Sequence, residues 1–312
     1  MPLPALETSI KPKRRPRYRR VGERERPALT LTARDRELIK AIYDHRFVTS
    51  RQLQELIPGS AQGVLRRLQK LFHHHYVDRL RLSNNSPIVY ATGNRGADEL
   101  AQRYGINRQK IEWTSKNREV GEHYIHHSLM VTRFRHALAL ALRERSDATM
   151  TFWEHSGSFK VPVSYEETVR TPDGGERTKM VETAVIPDGF FALSQGERTV
   201  NTCLFLEADR STMTNARYLA KLKGYYNYWR THVRTGQDAS GIRGFRVLTI
   251  TLSHERKENL RTTTKKGFDK VDGRGLNLFW FACERDYQNT PHQVLASIWQ
   301  TPADNTLRSI LI

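Results

Sequence analysis

Two apolar runs in this chain each end in acidic residues. They lie within Val185–Arg210, which reads VIPDGFFALSQGERTVNTCLFLEADR. One run ends at Pro187-Asp188 and the other at Glu207-Ala208-Asp209. If the runs are paired β-strands, Asp188, Glu207 and Asp209 come to one edge of a sheet. Carboxylates converging at strand ends suit a hard divalent cation and the metal-assisted chemistry it supports. The bland alternative is a structural ion network, with Asp188 capping a strand turn and Glu207 and Asp209 paired with Arg210 or Lys221.

The flanking elements must hold those strands. Thr151–Glu154 reads as a first strand. Phe159–Arg170 and Arg177–Val185 read as a hairpin across Thr171-Pro172-Asp173-Gly174-Gly175. That second Pro-Asp pair is turn chemistry rather than a site. Val200–Leu206 is continuously apolar from Cys203 onward, as expected for a strand covered on both faces. A helix over Thr214–Trp229 follows and carries Lys221 and Lys223. Phe245–Leu252 reads as a strand, His254–Lys266 as a charged helix and Leu276–Cys283 as a last strand. Before the sheet, a long helix over Arg118–Arg143 places Glu122, His123, His126 and His127 near its start. His123 and His127 have the i, i+4 spacing of a zinc pair, but no third ligand lies near in sequence. Glu122 and Glu154 are weaker acidic candidates.

The N-terminal part has another pattern. Thr32 can cap a first helix with Leu38, Ile39, Ile42 and Tyr43 on one face. Thr49-Ser-Arg-Gln52 is a capping box for a second. After the break at Pro58-Gly59, a third helix over Ser60–His75 places Val64, Leu65, Leu68, Leu71 and Phe72 on its apolar side. Its opposite side carries Gln62, Arg66, Gln69, Lys70 and His73, donors suited to base edges and phosphates. Val77–Ser83 and Ile88–Thr92 then form a hairpin around Asn84-Asn85-Ser86-Pro87, with Arg79 and Arg81 on its first strand. A helix over Arg95–Tyr104 is stopped by Gly105. Three helices and a wing spell a winged helix-turn-helix over 29–105, followed by a polar linker over 106–118 and a second domain over 119–312. The triplet His73–His75 cannot converge on one ion, because adjacent helical residues diverge by about 100°.

Charge narrows the partners. The chain carries a net charge of +18 and a pI near 10.1, which favours a polyanion. Residues 1–28 hold nine Lys/Arg against three Glu, a net of +6, with several prolines. Such a segment cannot bury itself and reads as a disordered arm along phosphates. Double-stranded DNA is the expected partner, ahead of anionic lipid and RNA. A second copy of the chain and replication or transfer proteins are further candidate partners. No apolar run approaches the ~20 residues of a membrane span. Cys203 and Cys283 are the only cysteines, which excludes a disulfide framework and fits a reducing cytoplasm.

The order helix, strand, strand, strand, helix, strand, with Pro187-Asp188 and Glu207-Ala208-Asp209 on central strands, resembles the PD-(D/E)XK nuclease superfamily. The chain as a whole is similar to the replication-relaxation family of plasmids and mobile elements. The matching stretches are LTARDRELI, VTSRQL, RRLQKL, VYATGNRGADELA, HHSLMVTRF, IPDGFF and LEADRSTM…KLKGYYNYW, within about residues 30–260. The resemblance implies an α+β (α/β) chain: an N-terminal winged helix-turn-helix, then a nuclease-like mixed-sheet domain. It implies that Asp188 and Glu207 hold Mg²⁺ or Mn²⁺. Asp209 occupies the position where the superfamily has a catalytic lysine, so Lys221 or Lys223 from the next helix would replace it, with Lys221 preferred. Two functions follow. One is DNA binding in plasmid replication or DNA relaxation, with metal-dependent nicking at Asp188, Glu207, Asp209 and Lys221. The other is a non-catalytic DNA-binding regulator or assembly factor with a degenerate nuclease-like domain.

Overall fold

Side-chain caps set where the first helices begin. The computed structural model describes residues 18–83, 86–111, 114–171, 173–196, 202–269 and 273–311. Most of the basic N-terminal arm, the turn residues Asn84 and Asn85, and Pro172 lie outside the described residues. The chain forms two units, Met1–Ile125 and His126–Ile312.

In the first unit, Thr32 and Asp35 exchange bonds at the start of α1 (Ala33–His45), with Thr32 N to Asp35 Oδ2 at 2.7 Å. After β1 (Val48–Thr49), Thr49 and Gln52 do the same for α2 (Ser50–Leu56). Ser60 Oγ accepts from Gly63 N at 3.1 Å to open α3 (Ala61–His73). These bonds fill donors that a helix start leaves unpaired. The strands β2 (Val77–Leu80) and β3 (Val89–Thr92) follow, then α4 (Asn94–Tyr104), ended by Gly105 at φ 64°. The sheet order is β1-β3-β2, all antiparallel. Leu38, Ile42, Leu53, Val64, Leu68, Leu71 and Tyr90 meet in one core. Leu65 departs from the expected apolar side of α3 and is exposed.

Two other expectations for this unit need correction. The stretch expected as a linker is packed against the rest: Ile111 is fully buried, and Asn117 on α5 (Thr114–Glu119) donates to Asp78 Oδ2 and Thr92 O, both at 2.9 Å. The tail is likewise docked from Arg20 onward. Arg20 donates to Phe72 O at 2.8 Å, Val77 O at 3.0 Å and Asp78 Oδ1 at 2.5 Å. One guanidinium thus satisfies three acceptors that nothing local could reach.

In the second unit, α6 (Glu122–Arg143) precedes β4 (Ala148–His155), the hairpin β5 (Val161–Arg170) and β6 (Glu176–Val185), β7 (Gly189–Gln195) and β8 (Thr202–Asp209). Then come α7 (Asn215–Tyr228), β9 (Phe245–Thr251), α8 (His254–Gly267), α9 (Gly273–Leu276) and β10 (Phe279–Cys283). The long helix expected from Arg118 is broken, with α5 ending at Glu119 and α6 starting at Glu122. The main sheet is mixed, in the order β10-β9-β8-β7-β4. β7 runs antiparallel to both of its neighbours, β4 and β8, and β8, β9 and β10 are parallel.

Strand alternation gives this sheet two apolar faces. One packs Phe191, Leu204 and Leu206 against Met130, Phe134 and Leu138 of α6 and against Trp299. The other packs Phe190, Phe205 and Val247 against Tyr225 and Leu222 of α7 and the hairpin's Val163 and Tyr165. Phe205 stands at the centre of the second face, with ring centroids 4.7 Å from Phe190 and 4.9 Å from both Phe159 and Phe245. Each such pair adds roughly 0.5–1.5 kcal/mol beyond area burial. The C-terminal stretch, for which the sequence suggested no role, covers the far sheet edge: Phe281 and Gln300 exchange backbone bonds at 2.8 and 3.0 Å.

Candidate active site and nucleic-acid interface

The register of β7 on β8 decides where the acids meet. Gly189 pairs with Leu206 and Phe190 with Phe205, so one further step puts Asp188 directly across from Glu207. Residues opposed in this way share a sheet face, with Cβ atoms about 5 Å apart. The regular pairing stops at Gly189, and Asp188 N donates instead to Leu206 O at 2.9 Å. Ala208 N then donates to Asp188 Oδ2 at 2.8 Å, so the side chain takes over where backbone pairing stops. Gly189 makes room for the neighbouring strand β4, because a Cβ there would lie 2.8 Å from the Trp153 ring.

Lys221 projects from α7 onto Glu207 Oε2, and the Tyr225 hydroxyl, one turn later, donates to Glu207 Oε1. These follow from helical i, i+4 spacing. Burial pushes the Glu207 carboxyl up to about 7, with Asp188 adding repulsion against the pull of Lys221. At Lys221 the balance is reversed. Burial disfavours its charge, yet Glu207 and Asp188 together raise its pKa. Both directions describe two carboxylates and one ammonium in a dry setting, where the acids share a single resident cation.

His127 completes the cluster. It lies on α6 with Nε2 3.0 Å from Asp188 Oδ1. That hydrogen bond raises the His127 pKa against the opposing effect of burial. For Asp188, burial works to raise the pKa, but His127 and Lys221 carry it below the ordinary carboxylate value. The sequence offered His127 only as half of a zinc pair with His123; the structure gives it an aspartate partner instead. Its signal was its place near the start of the long helix preceding the sheet, without any hint of which strand it would meet.

Asp209 takes a separate position. Arg256 of α8 donates to both its oxygens at 2.9 Å, and Ser211 N donates to Oδ1 at 2.8 Å. Among the described residues, no group of three His, Cys, Asp or Glu is arranged to hold a metal. Lys223 turns the other way and pairs with Glu167 of the hairpin at 2.6 Å. Glu154 is exposed on β4, and Glu122 is exposed at the start of α6.

The chemistry of the donor set fits a divalent cation at Asp188 and Glu207. Both are hard oxygen donors, mutually repelling and buried. Their four oxygens are engaged by His127, Ala208, Lys221 and Tyr225.

A family model described as Replication-relaxation matches residues 39–242, well over half of the chain. The chain belongs to the replication-relaxation family. No curated protein matches it. In this replication-relaxation protein, the match takes in Asp188, Glu207, Asp209 and Lys221 and stops short of Arg256.

In the first unit, Gln62 and Arg66 are exposed on α3 and Gln69 and Lys70 are half-buried. Lys70 Nζ donates to Ala28 O at 3.1 Å. Arg67, between them, is spent on the fully buried Asp35. His73, expected on the outward side, is fully buried: its Nδ1 accepts from Val21 N at 3.3 Å. The docked segment around Val21 covers the end of α3, which helix periodicity could not reveal. Arg79 stacks over Phe72 at 4.5 Å, whereas Arg81 is exposed.

Proposed function

We propose that the protein binds double-stranded DNA in the replication or relaxation of a plasmid or other mobile element. Its N-terminal unit acts as a winged helix. Three helices and a three-stranded antiparallel sheet, with Gln62, Arg66 and Gln69 on the outward side of α3, support that reading. Arg81, on the chain leaving β2, adds a phosphate contact from the wing, and the basic residues before Arg20 add more. No helix among the described residues is long and apolar enough to cross a membrane.

The second unit acts on DNA with a nuclease-like site of Asp188, Glu207 and Lys221. The observation that carries this is Asp188 opposite Glu207 across β7 and β8, with Lys221 reaching Glu207 from α7. Asp188 and Glu207 would hold Mg²⁺ or Mn²⁺. Such an ion stabilises charge on phosphate oxygens and lowers the pKa of a bound water. Lys221 favours the charged form of Glu207 against the effect of burial and directs its carboxylate. His127 orients Asp188, and Tyr225 fixes the Glu207 rotamer. Asp209 is left out of the reacting set because Arg256 clamps it.

A second reading, a non-catalytic DNA-binding assembly factor, is favoured by the engagement of all four oxygens of Asp188 and Glu207 by protein donors. Conversion of supercoiled plasmid to open circles with Mg²⁺ or Mn²⁺ separates the two. Lys221→Met should lower nicking by on the order of 10²–10³-fold, the usual weight of one charge-stabilising donor in a reacting site. Equal rates for wild type, Asp188→Ala and Lys221→Met would leave only the second reading.

A further inference from the structure

The second unit has a cavity of about 480 Å³ on the sheet face that carries the acids. That volume falls within the ~300–1,000 Å³ of small-molecule sites. Its walls include Phe152, Phe159 and Phe190, with Glu154, Lys160 and Ser240 at its polar rim. Phe159 and Phe190 are buried, and Phe152 is the half-buried ring that still meets solvent. Phe152 and Phe190 lie edge to face at 4.9 Å, and Phe159 leans on Phe190 at 4.8 Å.

The register fixes where this cavity stands. Glu154 pairs with Phe190 and Phe190 with Phe205, so these three form one rung across β4, β7 and β8. Asp188 and Glu207 lie two residues from Phe190 and Phe205 along their strands. The separation along a strand is roughly 7 Å. An aromatic cavity with hydrogen-bonding groups at its rim thus has one wall, Phe190, two residues from Asp188, and extends from there towards the start of β8.

We propose that this cavity binds a single unstacked nucleobase of the DNA strand whose phosphate lies at the Asp188–Glu207 rung. Phe152 supplies the stacking ring. Glu154 and Ser240 meet the polar edge of the base, and Lys160 meets the adjoining phosphate. Aromatic stacking accepts any base, because every base has a π-face. Extruding a base is the usual way for a protein to reach chemistry hidden inside a duplex. The proposal rests on the reading that the second unit handles DNA, and it names the state of the strand held there.

The test uses the full chain and an oligothymidylate carrying one 2-aminopurine, followed by anisotropy and by 2-aminopurine fluorescence. Wild type should quench the probe on binding. Phe152→Ala should weaken binding by about 5- to 100-fold, the range for stacking one base on one ring. Ser240→Trp fills the cavity from an exposed position and should abolish the quench without lowering the melting temperature. This second variant keeps the test decisive if Phe152→Ala fails to fold. Unchanged affinity and quench in Ser240→Trp would overturn the proposal. Lys221→Met separates it from the nuclease reading: quenching retained with nicking lost supports the pocket, and nicking retained with no quench in wild type overturns the pocket alone.

Discussion

The Asp209 carboxylate is held by the Arg256 guanidinium, Nε to one oxygen and a terminal nitrogen to the other, both at 2.9 Å. The same guanidinium reaches Asn215 Oδ1 and Met213 O, each at 2.7 Å. One side chain of α8 therefore ties the end of β8 to the start of α7, the helix that delivers Lys221.

Arg256→Ala is expected to destabilise the second unit by roughly 3 kcal/mol, because it strands a buried carboxylate. Asp209→Asn should cost less, and a double-mutant cycle in urea should show coupling above about 0.5 kcal/mol. Additive effects would mean that the clamp carries no energy.

His127 and Asp188 set a pH window. The raised His127 value means that its contribution to stability is complete below the ordinary 6.5 and is lost as pH rises through the shifted value. The lowered Asp188 value means that its contribution is present above 3.8 and is lost as pH falls through the shifted value. The gap in melting temperature between wild type and His127→Gln should be widest between these limits and shrink in alkaline solution. A gap that widens with pH would contradict the pairing.

Glu207 has a slope opposite to that of Asp188. Its folded value of about 7 exceeds the ordinary 4.5, so the native chain keeps a proton that the unfolded chain releases between those values. Stability should decline across that interval through this group. Glu207→Gln should flatten the decline, measured by denaturant melts at several pH values. An unchanged slope would place the Glu207 pKa at its ordinary value.

Neighbours on α3 should behave differently. Arg66 is exposed, so Arg66→Ala should lower duplex affinity by about 1–3 kcal/mol if it reads a base edge, with no change in melting temperature. Arg67 neutralises the buried Asp35, and Arg67→Ala should destabilise the fold by roughly 3 kcal/mol. Arg81→Ala should weaken all sequences alike and reduce the salt slope by about 1. Anisotropy titrations at several salt concentrations, alongside thermal melts, distinguish these outcomes.

What could be read from the chain alone follows interaction range. Thr32, Thr49 and Ser60 announce helix starts because a cap acts over three residues. The meeting of Asp188 and Glu207 was legible because successive apolar runs pair through a short turn. Lys221 was reached through the superfamily resemblance, which lets the helix after the strand supply the lysine, and not through any spacing. His127, Arg256 and Arg20 were not, because their partners lie far along the chain and no local pattern encodes a distant docking. Asp209 was misjudged for the same reason: the strand brought it to the right edge, but a helix not yet placed decided its partner. His73 reversed its side because periodicity knows the helix and not the segment folded over it.

The pairing of Gln300 with Phe281 has a consequence for handling the protein. β10 is five buried residues, Phe279–Cys283, at the outer margin of a sheet, and Gln300 occupies its hydrogen-bonding groups at Phe281. A chain shortened to Ser297 would bare that margin, and a bare apolar strand recruits others like itself. Aggregation of such a fragment would then report an unguarded strand together with the loss of Trp299 from the core.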